Sequence, residues 1–402
     1  MPPLTQPPDD WFDLARHPTQ TSRPGVLLTG SPRRPGAAAR YPELIASLAI
    51  LTLPLCLLSL LPLWQNPHWL VRSAEFARQQ LACLLALSLV AQLTLTSGFT
   101  STGAALLLLT VVCLAWNLWR LIRFVALWPC EVEQAAESGS SHTLAIISAN
   151  VQMENRHADT LLSLVREKAP DLLVALESDQ WWEDRLDTLE TDMPHSVKCP
   201  LDNRYGIHLY SRLPLVDPGI EYLVEEDVPS IHATVVLGSG EEIRLHLLHP
   251  APPSPTENTE SKERDAELIV VARALRKDSR PTLVAGDFND IPWSRTATLF
   301  RRISGLVDPR VGRCMLNTFH ARIPVFRWPL DHLYHSRHFQ LAEITRLPYI
   351  GSDHFPLYTR LVLAEREPAG EQSRATADEI AEAQTITAAG AVGVGSVPDP
   401  GR

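Results

Sequence analysis

Six short stretches between residues 148 and 354 of the 402-residue chain gather side chains suited to metal binding and proton transfer. They are Ser148-Ala149-Asn150, Ala175-Leu176-Glu177-Ser178, Leu248-His249-Pro250, Gly286-Asp287-Phe288-Asn289-Asp290, Leu330-Asp331-His332-Leu333-Tyr334 and Gly351-Ser352-Asp353-His354. Most follow an apolar run of strand length. Carboxylate, amide and imidazole groups delivered from several strand ends make a divalent-metal hydrolase site, whereas a packed core gains nothing from them.

Glu177 ends an otherwise apolar run, where a carboxylate is costly unless it meets solvent or a cation. Mg²⁺ takes hard oxygen ligands and needs only one or two protein carboxylates. Asn150 could hold a metal-bound water or orient a carboxylate, although taken alone it reads first as a turn or cap residue. Asp287 and Asn289 are two apart, so strand-like geometry aims both to one side while Phe288 packs on the other. That pair suits positioning of a water and a phosphate oxygen, and also an Asx turn capping the next helix. His354 has the imidazole usual for proton transfer near neutral pH, and Asp331 is the carboxylate that would fix its tautomer. His249 closes another strand and is placed to contact phosphate or protonate a leaving group. His246 and His332 read as structural.

The elements that must present these residues alternate along the chain. Short apolar strands are expected at Leu144–Ser148, Leu172–Leu176, Ile207–Tyr210, His232–Leu237, Ile243–Leu248, Thr282–Ala285 and Asp331–Tyr334. Helices are expected at His157–Lys168, Lys262–Leu275 and Trp293–Ile303. Some consecutive strands have no helix between them, so antiparallel pairing is present, and two packed mixed sheets with helices outside follow.

Ahead of this domain the chain changes character. No formally charged residue occurs from Leu44 to Val71 or from Gln79 to Trp119. These stretches hold three spans of membrane-crossing length, near Leu44–Trp64, Leu81–Phe99 and Ala104–Leu121, with Gly98 and Gly103 in a turn between the last two. Five Arg precede the first span, against four that fall on the other side of the membrane. The positive-inside rule then gives a cytoplasmic N-terminus and an external C-terminal domain. Residues 1–40 and 365–402 read as disordered tails, 41–124 as the three-helix transmembrane region, 125–142 as a linker and 143–364 as the soluble domain.

Charge is uneven. Residues 1–130 carry nine Arg and five acids, while residues 131–402 carry 27 bases against 41 acids, a balance of -14. Lys and Arg contacts to phosphate supply most non-specific nucleic-acid affinity, so this domain is poorly suited to gripping a long polyanion. The six cysteines show no C-x-x-C spacing, which argues against a structural zinc site or a disulfide scaffold. A single bridge among Cys130, Cys199 and Cys314 stays open.

Taken in order, Asn150, Glu177, His249, Asp287, Asn289, Asp331, Asp353 and His354 resemble the endonuclease/exonuclease/phosphatase (deoxyribonuclease I-like) superfamily over residues 143–364. Ser211-Arg212-Leu213-Pro214 also resembles that family's Ser-Arg-x-Pro segment. The three-span front end resembles a bacterial membrane-anchored branch, some members of which are linked to glycopeptide resistance and envelope lipid metabolism. The resemblance implies a four-layer α/β/β/α sandwich of two mixed sheets with the site at one rim. It implies Mg²⁺ (or Mn²⁺) held by Glu177 with Asn150 nearby and Asp353 in support. Asp287 would align or deprotonate the attacking water, Asn289 and His249 would hold phosphate oxygens, and His354 paired with Asp331 would act as acid/base or charged clamp. One departure stands out: many nuclease members carry an acid two residues after the first Asn, and here it is Gln152. The expectation is a membrane-anchored metal-dependent phosphohydrolase acting outside the cytoplasmic membrane on a phosphoester or pyrophosphate, with lipid-linked substrates among the candidates. A tethered nuclease is the alternative, and a catalytically silent binding module the third reading.

Overall fold

In a computed structural model of the full chain, the residues described are 37–95, 100–136, 142–364 and 375–401. The expected N-terminal tail lies almost wholly outside them. The first helices are α1 (Ala37–Leu60), α2 (Trp69–Phe76), α3 (Arg78–Leu95) and α4 (Ser101–Leu121). Three segments, Glu43–Leu63, Arg78–Leu95 and Ser101–Phe124, are long and apolar enough to cross a membrane. Gly103, expected in a turn, lies in the first turn of α4, where the Thr100 hydroxyl caps its N–H at 3.1 Å. Gly98 falls outside the described residues. Polar side chains inside this bundle find one another: Thr52 meets Ser88 at 2.6 Å, Gln92 donates to Thr110 at 2.9 Å and Asn117 donates to Ser59 at 2.9 Å. Such pairs tie helices together where water is absent.

The larger domain is built from eleven strands and five helices among the described residues. The strands are β1 (Thr143–Asn150), β2 (Leu172–Leu176), β3 (His195–Cys199), β4 (Ile207–Ser211), β5 (Leu215–Glu221), β6 (Ser230–Val236), β7 (Glu242–Leu248), β8 (Thr282–Asp287), β9 (Asp331–His335), β10 (Phe339–Arg346) and β11 (Leu357–Leu363). The helices are α5 (Ala158–Lys168), α6 (Gln180–Leu186), α7 (Lys262–Leu275), α8 (Arg295–Ser304) and α9 (Ala377–Ala389). One sheet runs β10-β11-β1-β2-β4-β3 and the other β5-β6-β7-β8-β9. This is the expected sandwich of two mixed sheets with helices outside.

Side-chain alternation explains the layers. Leu144 and Ile146 of β1, and Leu172, Val174 and Leu176 of β2, face Leu245, Leu247, Leu283 and Ala285 of the other sheet. Their neighbours Ala145, Ile147, Leu173 and Ala175 pack outward on Leu161 and Val165 of α5 and on Trp182 of α6. Central strands are therefore apolar on both faces, which is why they read as continuous runs.

Pairing direction puts the ends in one place. β1 with β2 and β7 with β8 are parallel pairs, so they deliver their C-terminal ends to one rim. β11 and β9 run antiparallel to β1 and β8, so they deliver their N-terminal ends to the same rim. Asp331 thus opens its strand opposite Asp287, which closes one.

β3, β5, β10 and β11 were not expected. Three of them are sheet edges whose exposed sides carry polar residues, and Thr359 and Arg360 interrupt the apolar run of β11. The C-terminal segment also differs from a disordered tail over its described part. α9 carries a Thr376/Glu379 capping box and buries Ala383 and Thr387 against the helical layer. Beyond it, Arg244 donates to the Pro398 carbonyl at 2.8 Å and Thr234 to that of Pro400 at 3.0 Å. Small apolar residues and side-chain-to-backbone bonds hold this segment, and composition alone does not register them. The linker docks as well: Ala135 N–H reaches Leu341 O at 2.9 Å and Val132 is buried in the central core. All six cysteines are unbridged.

Gly286 closes the crowded side of β8. Its φ is 140° and an added Cβ would lie 2.0 Å from the Leu248 carbonyl oxygen. Gly286→Ala is expected to cost about 3 kcal/mol and lower the apparent Tm by roughly 6–12 °C. Thermal unfolding of the detergent-solubilised full chain checks this, and an unchanged Tm would contradict the crowding.

Candidate active site

The rim brings together the residues singled out by sequence. Asn150 Nδ2 donates to Glu177 Oε1 at 2.7 Å and to Asp287 Oδ2 at 3.2 Å, so one amide joins the two sheets. His354 Nδ1 meets Asp331 Oδ2 at 2.8 Å, and its Nε2 lies 3.4 Å from Asp287 Oδ2. Ser352 Oγ donates to the Asn150 carbonyl at 2.8 Å and accepts from His354 N–H at 2.9 Å. Asp353 is half-buried next to them, near enough that its charge acts on Glu177. His249 is buried with its ring 5.5 Å from that of Tyr205, and its Nδ1 has no hydrogen-bond partner.

Asn289 Nδ2 donates to Pro250 O at 3.1 Å, and its backbone N–H donates to Asp287 Oδ1 at 2.9 Å. It fastens the exits of β7 and β8 to each other and aims Asp287. The Ser211–Pro214 segment lies away from the rim, because Ser211 pairs with Leu172 at the opposite end of β2. His246 and His332 are buried within the fold, His246 against His232 and His332 against Tyr334, Arg310 and the Asp290 carbonyl.

Three rim residues that are not glycine hold positive φ: Gln152 at 58°, Glu177 at 57° and Asn289 at 49°. Asn tolerates this region, while for Glu and Gln it costs on the order of 1 kcal/mol each. The strain bends the chain off each strand so that the side chain returns over the strand end.

Burial and charge sort the ionisable groups. Burial alone would favour a neutral His354, but Asp331 and Asp287 outweigh it and raise the imidazole to about 10. Burial also opposes ionisation of Asp287, yet His354 and His249 hold its carboxyl below the usual range. Burial lowers His249, which is therefore neutral near pH 7. Burial pushes Glu177 up to about 7 against the hydrogen bond from Asn150. A carboxylate so placed lacks a compensating cation, and a hard divalent ion beside Glu177 would supply it. Asp287, Asp331 and His354 also offer atoms within 4.8 Å of one another, a spacing that suits a metal. Both ring nitrogens of His354 already face carboxylates, and an imidazolium has no lone pair to give. The oxygen set around Glu177 is the better cradle.

Two arginines that sequence reasoning passed over brace the rim from beneath. Arg264 of α7 is 1% exposed, donates to the Asn289 carbonyl at 2.8 Å and lies 3.6 Å from Asp290. Arg310, also 1% exposed, pairs with Asp308 at 2.9 Å and donates to the Asp331 carbonyl at 3.1 Å. Local pattern marks both as surface charges, and only the tertiary fold shows their work. Phe319, whose ring lies 4.9 Å from that of His354, and Arg322, which donates to Gln152 Oε1 at 2.8 Å, complete the wall.

A raised imidazole contributes stability that is full below its ordinary value of 6.5 and is lost as pH rises through about 10. The stability difference between the metal-free protein and His354→Gln, read by urea unfolding, should therefore narrow from pH 6.5 to about 10. A difference that stays constant would mean that the folded protein holds a neutral ring.

No curated protein matches the chain in sequence. Among solved structures, it is similar to a humanised zebrafish (D. rerio) TDP2, with 18% identity and a TM-score of 0.47 over 55% of this chain and 99% of that one. It is similar to the human Nocturnin catalytic domain, with 15% identity and a TM-score of 0.46 over 57% of this chain and 97% of the other. An endonuclease/exonuclease/phosphatase from Beutenbergia cavernae shares 14% identity and a TM-score of 0.46, over 57% of this chain and 73% of its own. The sequence profile of the Endonuclease/Exonuclease/phosphatase family matches residues 147–354, the segment that holds every rim residue described above, and the chain belongs to that family.

Proposed function

We propose that this chain is a membrane-anchored, metal-dependent phosphohydrolase that cleaves a phosphoester or pyrophosphate carried by a lipid, on the external face of the cytoplasmic membrane. The observation that carries the reading is the loop from Phe319 to Trp328. At its base Phe319 pairs with His354, and Ala321 N–H reaches the Asp353 carbonyl at 2.6 Å. At its tip Ile323, Val325 and Phe326 are exposed at 42%, 69% and 54%, and Gln80 in the first turn of α3 donates to the Val325 carbonyl at 2.8 Å. One short loop therefore touches both the catalytic imidazole and the head of an apolar helix of membrane-crossing length. A phosphate held at bilayer level can reach such a site while its tail stays in lipid.

Within this reading Glu177, with Asn150 and Asp353 in support, would hold Mg²⁺ (or Mn²⁺), whose chemistry there would be polarisation of a phosphoryl oxygen. Asp287, ionised and aimed by Asn289, aligns the attacking water and can take its proton. His354, charged and held by Asp331, donates to the oxygen on which negative charge grows. His249, neutral beside Tyr205, is a hydrogen-bond partner for the phosphate or the leaving group. The arginine bias toward the N-terminal side supports the external placement of the domain.

The nuclease alternative finds less support. The domain is acidic overall, and Trp182, a candidate stacking aromatic, is fully buried. Trp181 lies beneath Arg156 and Arg185, with their guanidinium carbons 4.7 and 5.2 Å from its ring centre.

Asp287→Ala and His354→Ala should each lower metal-dependent turnover of a phosphodiester reporter about 10³-fold. Full activity in both would overturn the site assignment, and a wild-type protein with no metal-dependent turnover would leave the binding-module reading. In nanodiscs, Val325→Ser with Phe326→Ser should slow cleavage of a bilayer-embedded lipid pyrophosphate about tenfold, with unchanged turnover of the soluble reporter. Processive digestion of single-stranded DNA at physiological salt, with lipid phosphates untouched, would replace the lipid reading with the nuclease one.

A further inference from the structure

A second polar cleft, of about 420 Å³, opens where α4 meets the catalytic domain. Arg120 and Arg123 line it from the end of α4, Arg301 and Arg302 from α8, and Arg337 from the β9–β10 turn. Glu131 is the one acid in the lining, so five guanidiniums face a single carboxylate. Glu131 pairs with Arg301, and Glu379 outside the lining lies 3.0 Å from Arg302. Apart from these pairs, Arg120 and Arg123 bring positive charge to the mouth of the cleft. The Nε of Arg301 is buried and has no hydrogen-bond partner. None of the lining residues belongs to the catalytic rim.

Its position is as telling as its charge. The apolar segment Ser101–Phe124 ends at Phe124, so Arg120 and Arg123 stand at the level where a crossing helix meets lipid headgroups. Trp119 lines the same mouth and is 62% exposed, with Ile122 beside it at 37%. An aromatic ring at the edge of a basic hollow suits a ligand with an anionic head and an apolar tail. Guanidinium forks match phosphate oxygens in pairs, which an ammonium cannot do.

We infer that this cleft binds the phosphate headgroup of an anionic phospholipid, as a site separate from the catalytic one. The inference rests on α4 crossing a bilayer, and it is independent of what the catalytic rim cleaves. A bound lipid here clamps the end of α4 to α8, the helix that follows the Asp287–Asp290 turn, and so fixes the height of the domain above the membrane.

Native mass spectrometry of the detergent-purified full chain, titrated with phosphatidylglycerol or phosphatidylcholine, tests this directly. Phosphatidylglycerol should bind at least about tenfold more tightly. Arg123→Gln combined with Arg337→Gln should remove that preference, and Arg123→Lys with Arg337→Lys should recover part of it, which separates loss of charge from loss of fold. Turnover of a soluble phosphodiester reporter, unchanged in the Gln variant, confirms an intact rim. Equal binding of the two lipids, or a Gln variant that keeps the preference, overturns the inference. Displacement of the lipid by inorganic phosphate at equal concentration would also overturn it, since the site would then take free phosphate.

Discussion

A protonated imidazole buried between two carboxylates is the interaction on which the rest of the rim depends. His354 keeps its charge only because Asp331 and Asp287 stand on either side, and those acids come from the two strands of an antiparallel pair. Removing His354 leaves two buried carboxylates with no cation between them, which is expensive. The supporting contacts make sense in this light. Ser352 fixes the backbone of His354, Asn289 fixes Asp287, and Arg310 fixes the backbone of Asp331. The strained φ angles at Gln152 and Glu177 are held by Asn150, whose Oδ1 accepts from the Gln152 N–H at 3.0 Å and whose Nδ2 donates to Glu177 at 2.7 Å.

Much of this was legible in the sequence where chemistry and burial coincide. Asn150, Glu177, Asp287 and His354 each interrupt or end an apolar run, and a polar group in such a place needs a reason. Strands buried on both faces were legible for the same cause. The rest was not. β3, β5 and β10 are edges, and their mixed polarity hides them. Arg264 and Arg310 act from inside the core, yet each sits among neighbours that resemble a solvated turn. The tie from Asn289 to Pro250 was not legible, because spacing tells where a side chain points and not which partner claims it. α9 shows in the sequence only as a weakly helical Ala377–Gln384 within a tail read as disordered, because an alanine-rich stripe carries little hydrophobic signal even where it packs against α7.

The apolar helices and the catalytic domain meet through specific contacts rather than through a loose tether. Arg72 of α2 reaches Asp265 of α7 at 3.4 Å, Trp293 Nε1 donates to the Glu75 carbonyl at 3.0 Å, and Phe124 stacks edge-on against Trp293. Asp265 in turn pairs with Arg264, the brace beneath Asn289. Rim and helical bundle are thus a few side chains apart, so the orientation of the site relative to the bundle is set by packing.

The linker that follows α4 also does more than span a gap. A sheet edge with open N–H and C=O groups invites another chain to add a strand. Here Glu133 and Ala135 lie along the outer side of β10 and take the Leu341 backbone in both directions, each bond 2.9 Å long. The segment that leads out of the apolar bundle is therefore also the cap on the sheet. Proteins crowded together on a surface meet far more often than they would in solution, and a capped edge keeps such encounters from becoming β-stacked aggregates.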